Sequence, residues 1–134
     1  METVSSVIVR GSVHSVALHP SGKLALSVGK DKTLKMWNLL KGRLGFTINT
    51  QKPAEVVQWS SRGTRFGYVA DTILKVFDSE STEEVRAIES KRRINTFVFH
   101  GEDLVVLGHE DSLVTVHRIH DGKKVIEFSG HTNR

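Results

Sequence analysis

The chain has 134 residues, 38% of them hydrophobic and 25% charged, with a formal net charge of +4. Such a balance fits one modest folded domain rather than a disordered polymer, and the charge is too small to argue by itself for a nucleic-acid partner. With no cysteine, a disulfide framework and a thiolate metal site are both excluded. The opening METVSSVIVRG lacks the basic head and apolar core of a secretory signal. No apolar run approaches the roughly 18 residues that a membrane span requires.

Read in chain order, the predicted elements are short strands. Thr3 to Val9 is apolar and reads as an outer strand, so residues 1–12 are assigned to the remnant of a preceding sheet. Val13 to Leu18 forms an inner strand, closed by the turn His19-Pro-Ser-Gly22. Leu24 to Val28 is the next strand, Gly29 to Lys32 a turn cluster, Thr33 to Trp37 the third strand and Leu44 to Ile48 the fourth. Residues 13–48 thus form one four-stranded unit. The pattern returns in residues 54–88 and 94–128, and residues 129–134 begin a further unit. Leu104-Val-Val-Leu107 is a continuous apolar run, expected to be buried on both faces.

The return is periodic. Asp31-Lys-Thr-Leu-Lys-Met-Trp37 is echoed by Asp71-Thr-Ile-Leu-Lys-Val-Phe77 and Asp111-Ser-Leu-Val-Thr-Val-His117, at steps of 40 residues. A period of about 40 to 45 residues with four strands per unit is the signature of propeller blades. The expected fold class is all-β: a partial β-propeller of about three four-stranded antiparallel blades.

Gly29-Lys30 invites a nucleotide-phosphate loop, and hence an enzyme, but the spacing fails. Such a loop needs Gly, four residues, Gly-Lys and then Ser or Thr. Here Lys30 is followed by Asp31, whose carboxylate would repel phosphate, and no helix pattern follows. A hairpin turn braced by an aspartate explains the same residues.

With these residues in view, the chain resembles the WD-repeat β-propellers, through His19-Pro-Ser-Gly22, Gly29-Lys-Asp-Lys-Thr33, Met36-Trp37-Asn38 and Gly130-His131. More narrowly, LHPSGKLALSVGKDKTLKMWNL (Leu18 to Leu39) is similar to the p21-activated-kinase-interacting-protein family of WD-repeat ribosome-assembly factors. Val57-Gln-Trp-Ser60 and the ending Glu127-Phe-Ser-Gly-His-Thr-Asn-Arg134 add to the likeness. The resemblance implies a non-catalytic scaffold without cofactors, nuclear and nucleolar, acting in large (60S) ribosomal subunit biogenesis and rRNA maturation. It also implies pre-60S assembly factors as partners, backbone contact with rRNA, and negative regulation of a p21-activated kinase. A generic WD-repeat adaptor in signalling or ubiquitin ligation is the alternative within binding proteins. A nucleotide-using enzyme built on Gly29-Lys30 is the alternative from another class.

The resemblance also implies structural repeat positions. Many WD blades hold a buried tetrad of His, Ser or Thr, Asp and Trp. Ser27, Asp31 and Trp37 match three of its members in the first unit, while Val7 to Gly11 offers no histidine. The second unit has Asp71 and Phe77, whose ring donates no hydrogen bond; the third has Asp111 and His117. The later blades are therefore expected to rely on packing.

Other chemistry has plainer explanations. His117 and His120 fall on opposite faces of a strand and have no third ligand nearby, so they form no metal site. No G-x-S-x-G elbow exists for a serine hydrolase. His109 and His131 read as turn caps. The run Lys91-Arg92-Arg93 lies between an outer strand and the next inner strand, and is a candidate partner-binding loop for phosphates or an acidic segment. Three stacked units also leave both terminal faces bare. The chain is accordingly expected to be a fragment or a truncated product of a longer propeller, either borrowing blades from another chain or only marginally stable alone, and self-association through those faces is a further expectation.

Overall fold

The computed structural model describes residues 11–130, and among them twelve strands and no helix. The first sheet comprises β1 (Val13–Leu18), β2 (Leu24–Gly29), β3 (Thr33–Asn38) and β4 (Arg43–Asn49). The second comprises β5 (Val56–Trp59), β6 (Arg65–Ala70), β7 (Ile73–Asp78) and β8 (Glu84–Glu89). The third comprises β9 (Ile94–His100), β10 (Leu104–His109), β11 (Leu113–Arg118) and β12 (Lys124–Ser129). Each sheet is an antiparallel meander in chain order, so every neighbour is joined by a short hairpin. Three four-stranded blades of a partial propeller result.

Most strand limits differ from the sequence reading by a residue or two. β12 reaches Ser129, which pairs with Leu113. The expected outer strand at Thr3 to Val9 and the turn cap at His131 lie outside the described residues.

The three sheets share a local irregularity. The pairing of the third strand with the fourth slips by one residue at Met36/Trp37, at Val76/Phe77 and at Val116/His117. Gly45, Val85 and Val125 are the extra residues. A bulge at the same station in every repeat bends the outer strand and increases its twist.

The core lies between sheets. Leu26, Val28, Leu34 and Met36 of the first sheet pack against Val57, Trp59, Phe66, Tyr68 and Phe77 of the second. On its other face, the second sheet presents Val69, Leu74, Val76 and Ile88 to Ile94, Phe97, Val105 and Leu107 of the third. Phe66 is central: its ring stacks on Phe77 at 5.3 Å and meets Trp59 edge-on at 5.6 Å. Each such fully buried side chain contributes about 1.5–3 kcal/mol of transfer free energy.

Burial along the middle strands reports the layering. From Phe66 to Ala70 every residue of β6 is buried, because the second sheet is covered on both faces. In β10 burial alternates: Val105, Leu107 and His109 are buried, while Leu104 and Val106 are only half-buried. This corrects the expectation for Leu104 to Leu107. The run is apolar on both sides, but among the described residues only the side toward the second sheet is fully covered.

Candidate interaction surface

The repeated aspartates all occupy the turn between the second and third strands of their sheets. In the first sheet the tip is Lys30, Asp31 and Lys32. Asp31 accepts hydrogen bonds from the Thr33 amide at 3.1 Å and the Thr33 hydroxyl at 2.8 Å, and its other oxygen meets Lys35 Nζ at 3.2 Å. Burial pushes the Asp31 carboxyl up, but these bonds prevail and hold it below its ordinary value. The backbone is committed as well. The Lys30 amide donates to Ser12 O at 2.8 Å, and a Cβ on Gly29 would lie 2.2 Å from that same oxygen. The turn thus aims inward the Lys30 and Thr33 amides that a phosphate-binding loop would turn outward.

Ser27 and Trp37 form a bonded pair: the indole Nε1 donates to Ser27 Oγ at 2.8 Å. Phe77 takes the Trp37 station in the second sheet and is held by ring stacking. His117 takes it in the third, where a polar chain replaces packing. Thr115 Oγ1 lies 2.8 Å from His109 Nε2 and 3.2 Å from His117 Nε2. His109 is thus a buried strand residue rather than a turn cap. Its Nδ1 is enclosed beside the Arg93 backbone, without a partner in hydrogen-bond geometry among the described residues. Burial holds both rings below the ordinary histidine range. The network eluded sequence reading because Thr115 and His109 follow no motif; the cross-strand pairing of Leu107 with Thr115 brings them together.

Asp71 and Asp111 have partners of a kind the sequence reading missed. Lys52 Nζ lies 3.5 Å from Asp71, and Arg92 lies 3.1 Å from Asp111. Both cations precede the inner strand of their sheet, and the pair recurs with the 40-residue step of the aspartates. The signal was present as a cation 19 positions before each aspartate.

The candidate partner-binding loop is therefore less free than its composition implies. Arg92 is engaged by Asp111 and Arg93 by Glu55 of the second sheet, leaving Lys91 without a carboxylate partner among the described residues. Beside this loop a groove of about 660 Å³ runs between the edge of the second sheet at Glu89 and the third sheet at His117, Lys124 and Glu127. Its cations and carboxylates alternate, so it carries no strong field of one sign.

Polar clamps fix the sheets to one another. Glu102, in the β9–β10 turn, reaches the β5–β6 turn of the second sheet. It accepts from Ser60 Oγ at 2.6 Å, the Arg62 amide at 2.9 Å, Ser61 Oγ at 3.0 Å and the Thr64 hydroxyl. Burial raises its pKa, but these donors outweigh burial and bring it down to about 2. At the preceding junction the Trp59 indole donates to Ala17 O at 3.1 Å, and His19 stands edge-on to Trp59 at 4.5 Å.

Among the described residues, the outer faces of the first and third sheets are only partly covered. Across the first sheet, Leu18, Ala25, Trp37 and Leu44 align in register, and Leu18 is 62% exposed. Across the third, Val98, Val106, Val116 and Ile126 align, with Phe128 opposite Val114 in the next row. Val98, Ile126 and Phe128 are about half exposed.

Repeated four-stranded antiparallel blades, with a recurrent bulge and a turn aspartate in each repeat, form a partial propeller of the kind that WD repeats build. The family model described as "WD domain, G-beta repeat" matches residues 4–38. The chain is similar in sequence to p21-activated protein kinase-interacting proteins. It is 38% identical over 125 residues to p21-activated protein kinase-interacting protein 1-like of Danio rerio, covering 93% of this chain and 34% of that protein. It is 32% identical over 119 residues to p21-activated protein kinase-interacting protein 1 of Homo sapiens, covering 89% and 30%. Shk1 kinase-binding protein 15 of Schizosaccharomyces pombe is 29% identical over 122 residues, covering 91% and 35%. The chain thus spans about a third of the length of the curated relatives it matches.

Proposed function

We propose that the chain is a non-catalytic WD-repeat scaffold whose partner is a protein kinase of the p21-activated class. The observation that carries this reading is the similarity across nine-tenths of the chain to proteins named for kinase interaction, in vertebrates and in a yeast. The structure suits the role: sheets locked by clamps such as Glu102 present rigid turns and open apolar faces. The commitment of the Lys30 and Thr33 amides also favours docking over nucleotide chemistry. The direct test is binding of the purified chain to an immobilised p21-activated kinase. Saturable binding supports the reading, and no binding at concentrations where the chain is folded overturns it.

A finer reading places the scaffold in the nucleolus, in large ribosomal subunit assembly, among pre-60S factors and rRNA. It is favoured by the likeness of Leu18 to Leu39 to ribosome-assembly members of the family, and Lys91 is the cation best placed for a phosphate contact. Affinity purification from cells decides it: pre-60S factors and rRNA are expected in the eluate, and their absence refutes the assembly role.

A further inference from the structure

Charge is distributed unevenly among the three sheets. From Val13 to Asn49 the first sheet carries Lys23, Lys30, Lys32, Lys35, Lys41 and Arg43 but a single carboxylate, Asp31. That carboxylate lies in the β2–β3 turn, paired with Lys35 at 3.2 Å. The opposite end of the sheet is built from the β1–β2 and β3–β4 turns. It presents Lys23, Lys41 and Arg43 with no acidic residue of the sheet to offset them. Among the described residues none of these three cations is in an ion pair. The two turns form one surface: the Leu39 amide donates to Lys23 O at 2.9 Å, and Asn38 pairs with Leu24 on one side and Arg43 on the other. Asn38 also pins the β3–β4 turn. Its carbonyl accepts from the Gly42 amide at 2.8 Å, and its side chain accepts from the Lys41 amide at 3.0 Å. At the tip, beside Lys41, Leu40 is 73% exposed. Exposure at this tip does not depend on which sheets flank the first. In the next repeat Glu80, Ser81 and Glu83 take the stations of Leu40, Lys41 and Arg43. All three are exposed, although the second sheet packs against a sheet on either side. Lys23 likewise corresponds to Thr64, which is exposed.

We propose that this end of the first sheet is a docking surface for an acidic polypeptide segment that carries apolar residues among its carboxylates. Lys23, Lys41 and Arg43 supply the complementary charge, and Leu40 supplies the apolar contact. The charges speed encounter and select the partner, while the leucine adds the desolvated anchor. A turn already pinned by Asn38 loses little freedom on binding, so the contact costs less ordering than one made by a free loop. Nucleic acid is a poorer fit. Neither turn holds a Phe, Tyr or Trp on which a base could stack, and a phosphate backbone offers Leu40 no apolar group.

The surface is defined without reference to the kinase, and its test uses no kinase. The probe is a fluorescein-labelled peptide of glutamates interrupted by leucines, titrated with the purified chain and followed by anisotropy. Saturable binding is expected, weakening as salt rises. Lys41→Glu combined with Arg43→Glu is expected to weaken it by about tenfold or more. Lys30→Glu combined with Lys32→Glu makes the same change in net charge at the other end of the sheet and is expected to leave binding unchanged. Leu40→Ser is expected to weaken binding while keeping the salt dependence. All five residues are exposed, and circular dichroism checks the fold of each variant. Should a charge reversal disturb the turn, Lys41→Gln with Arg43→Gln gives the same readout. An absence of saturable binding overturns the proposal, as does equal weakening by the two reversed pairs or an unchanged affinity in Leu40→Ser. Tighter binding of a poly-uridine RNA or of phosphatidylserine vesicles than of the peptide also overturns it.

Discussion

Glu102 and Ser60 meet at 2.6 Å across the boundary between the second and third sheets. Their bond belongs to a group of donors that converge on one carboxylate from a single turn of the neighbouring sheet. Packing alone tolerates sliding between sheets, whereas a multiply bonded carboxylate fixes one relative position.

Glu102→Gln should therefore cost about 1–3 kcal/mol of stability, the range for losing hydrogen bonds to a charged group. The carboxyl has a folded pKa of about 2, below its ordinary value. The unfolded state therefore binds the proton more readily, and the stabilisation is complete above the ordinary glutamate pKa. It fades as pH falls from there toward 2. Denaturant melts of both forms across this interval should converge at the acid end.

The histidine network points in the same direction at a higher pH. Burial lowers the His109 and His117 pKa values in the folded chain. Their neutral forms stabilise the fold above the ordinary histidine value, and that contribution declines as pH drops below it. Thr115→Val removes the hydroxyl both rings share and should cost about 1–3 kcal/mol by leaving a buried ring nitrogen unpaired. Melting from pH 7.5 down to 5 should show a loss in the parent that flattens in a variant with both histidines replaced by asparagine.

Ser27 and Trp37 provide a pairwise test. Ser27→Ala leaves a partly buried indole N–H without its acceptor, at a cost of about 1–2 kcal/mol. Adding Trp37→Phe should cost less in that background than in the parent, with a coupling of about 0.5–1.5 kcal/mol. Additive losses would show that the bond carries no stability.

Gly63 has φ of +75°, and a Cβ there would lie 2.1 Å from the His19 ring. Gly63→Ala should lose about 1–2 kcal/mol from the left-handed backbone alone, with the collision in addition. Combining it with His19→Ala should relieve the collision and leave the backbone cost. A variant as stable as the parent would mean that the turn adopts another form.

Arg93→Ala separates binding from folding. Its partner Glu55 is a surface group, and solvent-screened ion pairs contribute little to stability. Stability should barely change, so any weakening of the proposed kinase binding, measured by biolayer interferometry, would report contact through this loop.

The blade architecture was legible because its signal is repetition. Asp31, Asp71 and Asp111 recur at a fixed step, and the strands around them alternate or run apolar as stacked sheets demand. The local environments were less legible. Side-chain partners come from strands that are remote in sequence, and their identities follow no repeat. Thr115 looks like an ordinary strand residue until Leu107 pairs with it and brings His109 within reach. Arg92 and Arg93 read as a cationic loop because their carboxylate partners, Asp111 and Glu55, lie elsewhere in the chain. Leu104 to Leu107 shows a further limit: an apolar run states what a strand can bury, and the neighbouring sheets decide what it does bury.

The continuous burial of β6 carries a kinetic consequence. A strand enclosed on both sides cannot exchange its amide protons with solvent until one flanking blade lifts away, whereas β12, exposed along its whole length, need only fray. Deuterium should therefore enter from the C-terminal edge inward, with the slowest uptake at Phe66 to Val69, and unfolding should begin as a peeling from the outside of the stack.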